Sequence, residues 1–210
     1  KENIIVINNR GLVYSINLAG GLESKHKLIS ELRSEPILLN DIIYYIGFDR
    51  NLYSFSLIEN KAKIELEIND LQKIFSFNKE LILVKNNSYA IVKDDNISDP
   101  EFMPVPLNNI QSGVSDTNRL YFVDYSGNAI CIDKVKGTVQ WETKLSGFTN
   151  LPLVLTDDYL LVTNSIGEIY FINKEDGKEY TRIKVEERIK TAPQIYDNKI
   201  YFGVAKGLIK

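Results

Sequence analysis

Glycine recurs in this chain at a fixed interval: Gly127, Gly167 and Gly207 lie 40 residues apart, and so do Gly137 and Gly177. Each falls in a turn between short apolar runs. From Leu120 to Asn150, the runs Leu120–Val123 and Ala129–Ile132 flank the turn Tyr125-Ser126-Gly127-Asn128. A second turn at Lys136-Gly137 then leads into Thr138–Trp141, which carries the only tryptophan. The next forty residues repeat the arrangement, with Leu160–Val162, a turn at Ser165-Ile166-Gly167, Ile169–Ile172, and a turn at Asp176-Gly177. Short runs rich in Val, Ile, Tyr and Phe, punctuated by Gly-containing turns, predict consecutive antiparallel hairpins. A period of this length marks a repeat architecture and excludes most single-core folds.

The rest of the chain keeps the same plan. A first copy runs through Asn3–Ile7, the turn Asn8–Gly11, Leu12–Leu18 and a polar third strand Glu23–Leu28, and is read as closing with Ile37–Leu39. The second has Ile42–Ile46, Leu52–Leu57 and Lys63–Ile68, with Ile74–Phe77 as its last element. Ile64, Leu66 and Ile68 alternate at period two, so this lysine- and glutamate-rich piece is predicted as strand rather than helix. The third copy begins with Leu81–Val84 and Tyr89–Val92 and then meets Pro100, Pro104 and Pro106. Proline cannot donate to a strand ladder, which leaves an edge strand or an irregular loop there. The fourth and fifth copies are read as closing with Leu151–Leu155 and Ala192–Tyr196, and a sixth starts at Lys199.

Ile169–Ile172 is apolar at every position, which suits a sheet covered on both faces. Four-stranded antiparallel sheets that bury both faces against neighbours make a β-propeller. A β-sandwich does not require a fixed period. The expected fold is therefore all-β, with residues 1–210 a single propeller domain of about five blades plus the start of a sixth. Such a set does not close a ring neatly, and a part of a longer seven- or eight-bladed propeller is expected.

Composition narrows the function classes. A net charge of −3, with Lys and Arg scattered among acids, gives no general attraction to nucleic acid or anionic lipid. No apolar run is long enough for a transmembrane helix. The single Cys131 excludes an internal disulfide and a cysteine-based metal site, and in an apolar run it reads as an inert buried thiol. His26 is the lone histidine and is expected at the surface, not on a metal. The turns Asp94-Asp95, Asp157-Asp158 and Asp176-Gly177 lack the alternating acids and distant Glu of a calcium loop, and Asp is an ordinary turn former. Lys1 falls at the start of a strand; a cleaved export signal and a boundary within a longer chain both account for that.

The stretch Cys131–Trp141 resembles the tryptophan-docking motif of pyrroloquinoline-quinone-type propeller repeats. In that family a small residue is followed by Asp two positions later, then Gly, then Trp. Asp133, Gly137 and Trp141 match, with Cys131 in the small-residue place. Other copies are worn: Asn17 and Gly21 match without the Trp, and Asn173 and Gly177 match with Thr181 in its place. Pro36, Pro152 and Pro193 also resemble the family's pattern, and no Trp-Asp dipeptide points to WD repeats instead. The resemblance implies that Asp133, Gly137 and Trp141 are a structural motif packing blade on blade.

Two functional expectations arise from the resemblance. The repeat family includes quinone-dependent dehydrogenases, which hold cofactor and calcium near the axis with an Asp base and often a vicinal cysteine pair. Cys131 stands alone and no such constellation is found, so no catalytic, cofactor-binding or metal-binding residue is assigned and no cofactor is expected. The family also includes the BamB lipoproteins of the outer-membrane β-barrel assembly machinery, cofactor-free propellers whose inter-blade loops hold a POTRA domain of the central barrel subunit. That likeness implies a non-enzymatic, protein-binding scaffold at the periplasmic face of the outer membrane. It would touch the membrane only through a lipid anchor upstream of Lys1. The loop Val185–Pro193 is similar to the BamB family's acidic-plus-arginine loop, and Glu187 with Arg188 is the implied partner contact, Arg being suited to bidentate contacts with a carboxylate. The plainer reading of that loop is a charged, solvated surface segment. A dehydrogenase fragment and a ligand-sensing propeller domain are the alternative functions.

Overall fold

The computed structural model describes residues 3–92, 97–197 and 199–205. Their regular structure is all β-strand, paired antiparallel, and the chain packs as two compact units, Lys1–Phe102 and Met103–Lys210.

In the first unit, β1 (Asn3–Ile7), β2 (Leu12–Asn17) and β3 (Leu22–Lys27) form a three-stranded sheet. The second sheet is β4 (Ile37–Leu39), β5 (Ile42–Ile46), β6 (Leu52–Ser56) and β7 (Lys61–Leu66), in that order. The third contains β8 (Leu71–Phe77), β9 (Glu80–Lys85) and β10 (Ser88–Val92). The second unit opens with β11 (Met103–Pro104), a two-residue edge strand within the proline-rich stretch. The fourth sheet comes next as β12 (Ile110–Ser115), β13 (Arg119–Asp124), β14 (Asn128–Asp133) and β15 (Val139–Lys144). The fifth is β16 (Val154–Leu155), β17 (Tyr159–Thr163), β18 (Glu168–Asn173) and β19 (Glu179–Lys184). Finally β20 (Gln194–Tyr196) pairs with β21 (Lys199–Tyr201).

The structure shifts the phase of the copies relative to the sequence reading. The runs read as closing one copy are the first strands of the next sheet: Ile37–Leu39 pairs with β5, Leu71–Phe77 with β9, Val154–Leu155 with β17 and Gln194–Tyr196 with β21. The cause is turn chemistry. Asn40 and Asp41 both hold positive φ, 50° and 60°, and so do Asn78 and Lys79, 46° and 67°. Two successive residues in that region make a tight hairpin turn whose twist matches the strands, so each run folds directly onto the strand after it. Strand β12, with Ser112 and Gly113 in its interior, has no counterpart in the sequence pattern. Asp94-Asp95, Asn198 and the end of the sixth copy beyond residue 205 lie outside the described residues.

Packing explains the apolar-throughout strands. In β5, Ile43 and Tyr45 join Val13, Tyr53 and Phe55 on one face, while Tyr44 and Ile46 join Leu71, Leu81 and Leu83 on the other. Likewise Tyr121, Val123 and Cys131 of the fourth sheet pack with Leu160, Val162 and Tyr170 of the fifth. Leu161 and Ile169 then face Phe202 and Val204. Successive side chains of a strand point to opposite faces, so a sheet flanked on both sides needs apolar residues at every position. His26 departs from its expected surface place: it is half-buried, with its ring 5.5 Å from Phe55, and Nε2 is buried.

Candidate partner-binding loop and docking motif

The loop from Val185 to Lys190 leaves β19 and enters the next sheet. It is fixed at both ends by backbone contacts. Val185 N–H donates to Gly167 C=O at 2.9 Å, and Lys190 N–H donates to Gly203 C=O at 2.8 Å. Ile189 bridges to Val204 and is buried in the apolar cluster around Leu161. Arg188 C=O accepts from Ala205 N–H at 3.0 Å. Gly167 sits at φ 90°, and a Cβ there would come within 2.6 Å of the carbonyl oxygens of both Val185 and Glu187. The loop thus lies flat on the Ser165–Gly167 hairpin, which only glycine permits. In this frame Glu187 is half-buried and Arg188 exposed. The structure brings the two implied contact residues together on one loop, with the Arg188 backbone pinned and its guanidinium turned to solvent.

The fourth sheet builds the same loop with different chemistry. Leu145 N–H donates to Gly127 C=O at 2.9 Å, Thr149 bridges to Asn164, and Ser165 N–H donates to Phe148 C=O at 2.7 Å. Phe148 therefore takes the place that Arg188 takes forty residues later. It is 53% exposed and stacks on Tyr125, 42% exposed, with ring centroids 4.8 Å apart and planes at 19°. Ile166 is also exposed, and its side chain lies 3.5 Å from where a Gly147 Cβ would be. Sequence patterning misses this pair; its one signal is an aromatic at Tyr125, in a turn position where small or polar residues are usual.

The docking residues sit at the junction of the fourth and fifth sheets. Asp133 Oδ1 accepts from the N–H groups of Val135 and Lys136 at 3.0 and 2.9 Å, and Gly137 at φ 66° donates back to Asp133 C=O. The Lys136 N–H, aided by that of Val135, holds the Asp133 carboxyl below its ordinary range. This turn and a bulge between Cys131 and Ile132 set Trp141 directly opposite Cys131. Trp141 is 8% exposed, donates from Nε1 to Lys174 C=O at 2.9 Å, and lays its ring over Gly177. A Cβ on Gly177 would come 2.6 Å from that ring. Arg119 adds a 2.6 Å ion pair to Glu175, and Thr143 donates to Gly177 C=O. Burial pushes the Cys131 thiol up to about 12, so it stays protonated at neutral pH.

A further polar cluster lies within the fifth sheet. Glu168 is buried and accepts from Tyr170 Oη at 2.7 Å and from Asn164 Nδ2 at 2.8 Å, with Arg182 3.6 Å away. The Tyr170 hydrogen bond, helped by Asn164 and Arg182, holds the Glu168 carboxyl below its ordinary range. Among the described residues no three His, Cys, Asp or Glu side chains are grouped to hold a metal ion.

Residues 131–209 match the family described as Outer membrane protein assembly factor BamB, a span that begins at the docking motif and contains the Val185–Lys190 loop. The crystal structure of BamB from Moraxella catarrhalis superposes with a TM-score of 0.71 at 15% identity, covering 100% of this chain and 66% of that one. The chain is thus similar to BamB in its β-propeller fold, and over residues 131–209 in its repeat sequence. Two relatives carry the same description, Outer membrane protein assembly factor BamB. The protein of Shewanella oneidensis is 20% identical over 245 residues, covering 100% of this chain and 58% of the relative. That of Moranella endobia is 21% identical over 180 residues, covering 85% of this chain and 36% of the relative. The chain thus spans about three fifths or less of these BamB relatives' length.

Proposed function

We propose that this chain is a non-enzymatic, protein-binding scaffold that acts in outer-membrane protein assembly from the periplasmic side. In this reading residues 1–210 form one propeller repeat domain, and the loop Val185–Lys190 contacts a POTRA-containing assembly subunit. Arg188 makes the central polar contact and Glu187 flanks it. The observation that carries the proposal is the presentation of Arg188, exposed on a loop whose backbone is held at Val185, Arg188 and Lys190. A pinned loop loses little further backbone freedom on binding, and a guanidinium can grip a partner carboxylate through two parallel hydrogen bonds. The match of this same region to proteins described as assembly factors supports the choice of partner. Asp133, Gly137 and Trp141 serve to dock one blade on the next rather than to bind a ligand.

The test is a pull-down from envelope extracts with the purified chain and its Arg188→Glu variant. Enrichment of an outer-membrane assembly subunit by the wild type, lost in the variant, is the expected result. Equal recovery by both would remove the loop from the reading. Quinone- or calcium-dependent dye reduction by the purified chain would overturn the non-enzymatic assignment.

A further inference from the structure

The hairpin beneath the Val185–Lys190 loop is braced by a buried carboxylate. Its turn, from Asn164 to Glu168, joins β17 to β18. Asn164 Oδ1 accepts from Ile166 N–H at 3.2 Å and from Glu168 N–H at 2.8 Å, which closes the turn. Asn164 Nδ2 donates on two sides, to Ser146 C=O and to Glu168 Oε2, both at 2.8 Å. The same Oε2 accepts from Tyr170 Oη, which in turn accepts from Arg182 Nη1 at 3.4 Å. Glu168 pairs with Lys184 across β18 and β19, and the next residue, Val185, opens the loop by donating to Gly167 C=O. Glu168 thus touches both features that set the course of the loop. Through Asn164 it holds the hairpin below, and through Tyr170 and Arg182 it reaches the strand that feeds the loop.

The fourth sheet closes its matching hairpin with the charge on the other side. Asp124 stands where Asn164 does and Asn128 where Glu168 does. Asp124 accepts from Asn128 N–H at 2.9 Å and from Asn128 Nδ2 at 2.6 Å. Both hairpins therefore join one carboxylate to one amide. In the fifth sheet alone of these two, the carboxylate sits on the second strand, within reach of Tyr170 and 3.6 Å from Arg182.

We propose that Glu168 is a positioning residue for the partner contact: by holding Asn164 and Tyr170 it sets the hairpin on which the Val185–Lys190 loop lies, and with it the place where Arg188 meets the partner. The inference rests on the reading of Arg188 as that contact. Hydrogen bonds to a charged acceptor are stronger than neutral ones, so their loss loosens the hairpin more than the loss of an ordinary turn bond. A loosened loop has more freedom to lose on binding, which lowers affinity while the guanidinium itself is unchanged.

The experiment uses the full chain and two readouts, amide hydrogen exchange of the chain alone and calorimetric titration with the POTRA region of the assembly subunit. Asn164→Asp sets a second carboxylate against Glu168 and removes the donor to Ser146. Exchange at the Val185 amide should become at least about tenfold faster and POTRA affinity at least about tenfold weaker, while the Asn128 amide of the fourth-sheet hairpin exchanges as before. Adding Glu168→Gln to that variant restores one acid and one amide, the arrangement of Asp124 and Asn128, and should bring both readouts back to within about threefold of the wild type. Circular dichroism reports whether each variant folds. Should Asn164→Asp not fold, Tyr170→Phe removes one arm of the brace without adding charge and should speed exchange at Val185 in the same direction. Unchanged exchange at Val185, or a double variant no better than Asn164→Asp, would overturn the inference. Wild-type affinity in Asn164→Asp beside a loss in Arg188→Glu would overturn it and leave the Arg188 contact standing. Equal binding by the wild type and Arg188→Glu would instead remove that contact, and the positioning role with it.

Discussion

The fourth sheet and the first are copies of one repeat, and they differ most in what covers them. In the fourth, β13 and β14 are buried along nearly their whole length. In the first, the corresponding β1 leaves Ile4 53% and Val6 43% exposed. The turns are alike: Asn17 Oδ1 accepts from Gly21 N–H as Asp133 accepts from its own turn, and both copies carry a bulge at the end of the motif's first strand. What changes is the residue at the end of the motif. Trp141 pairs opposite Cys131 and reaches Lys174 and Gly177 of the next sheet. Its counterpart Lys25 pairs opposite Tyr14 and places its ammonium 5.5 Å from that ring. The local turn therefore survives without the tryptophan, and Trp141 adds contacts to Lys174 and Gly177 of the next sheet to the aliphatic packing between the two.

That contrast can be broken from the fourth-sheet side. Trp141→Ala removes a buried indole, its hydrogen bond to Lys174 and its cover over Gly177, and should cost about 3–5 kcal/mol in urea titration. Lys25→Ala at the matching place should change stability by less than about 0.5 kcal/mol. A loss under about 1 kcal/mol for Trp141→Ala would make the two copies equivalent and contradict the docking role. Gly177→Ala tests the receiving side. The site combines φ 72° with ring atoms 2.6 Å from the new Cβ, so a loss of about 2–3 kcal/mol is expected.

A smaller effect should appear with pH. Glu168 has its carboxyl held below the ordinary value of 4.5, so its stabilisation is fully present above that value and is lost as pH falls through the lowered one. Glu168→Gln should flatten the acid limb of the stability profile below about pH 4.5, measured as urea midpoints. A small loss is also predicted for Arg119→Ala. Its partner Glu175 is mostly solvent-exposed, and such an ion pair contributes about 0.5–1 kcal/mol, reduced further by salt.

Much of this fold is written locally. Turns at Gly127, Gly137, Gly167 and Gly177 all hold positive φ, so the forty-residue spacing of glycines reports the hairpin spacing directly. The phase of the copies is harder to read. Ile37–Leu39 and Val154–Leu155 are apolar runs with turns on both sides, and only the paired positive φ at Asn40 and Asp41 decides which neighbour the former joins. Strand β12 carries Gly113 and polar residues because Ser112 serves another purpose, accepting from Leu153 N–H at 2.8 Å. At the candidate site, Arg188 is visible in the sequence as a charged residue in a loop before Pro193. Its equivalence to Phe148 is not, because that rests on a shared backbone frame rather than a shared residue type. The stacking of Phe148 on Tyr125 joins a hairpin to a distant loop, and no periodicity encodes it.

The most direct test of the scaffold assignment is a calorimetric titration of the purified chain with the POTRA region of the outer-membrane assembly subunit. The account predicts saturable binding that Arg188→Glu weakens at least about tenfold while Lys25→Ala leaves it unchanged. No binding, or equal binding by the wild type and Arg188→Glu, would contradict it.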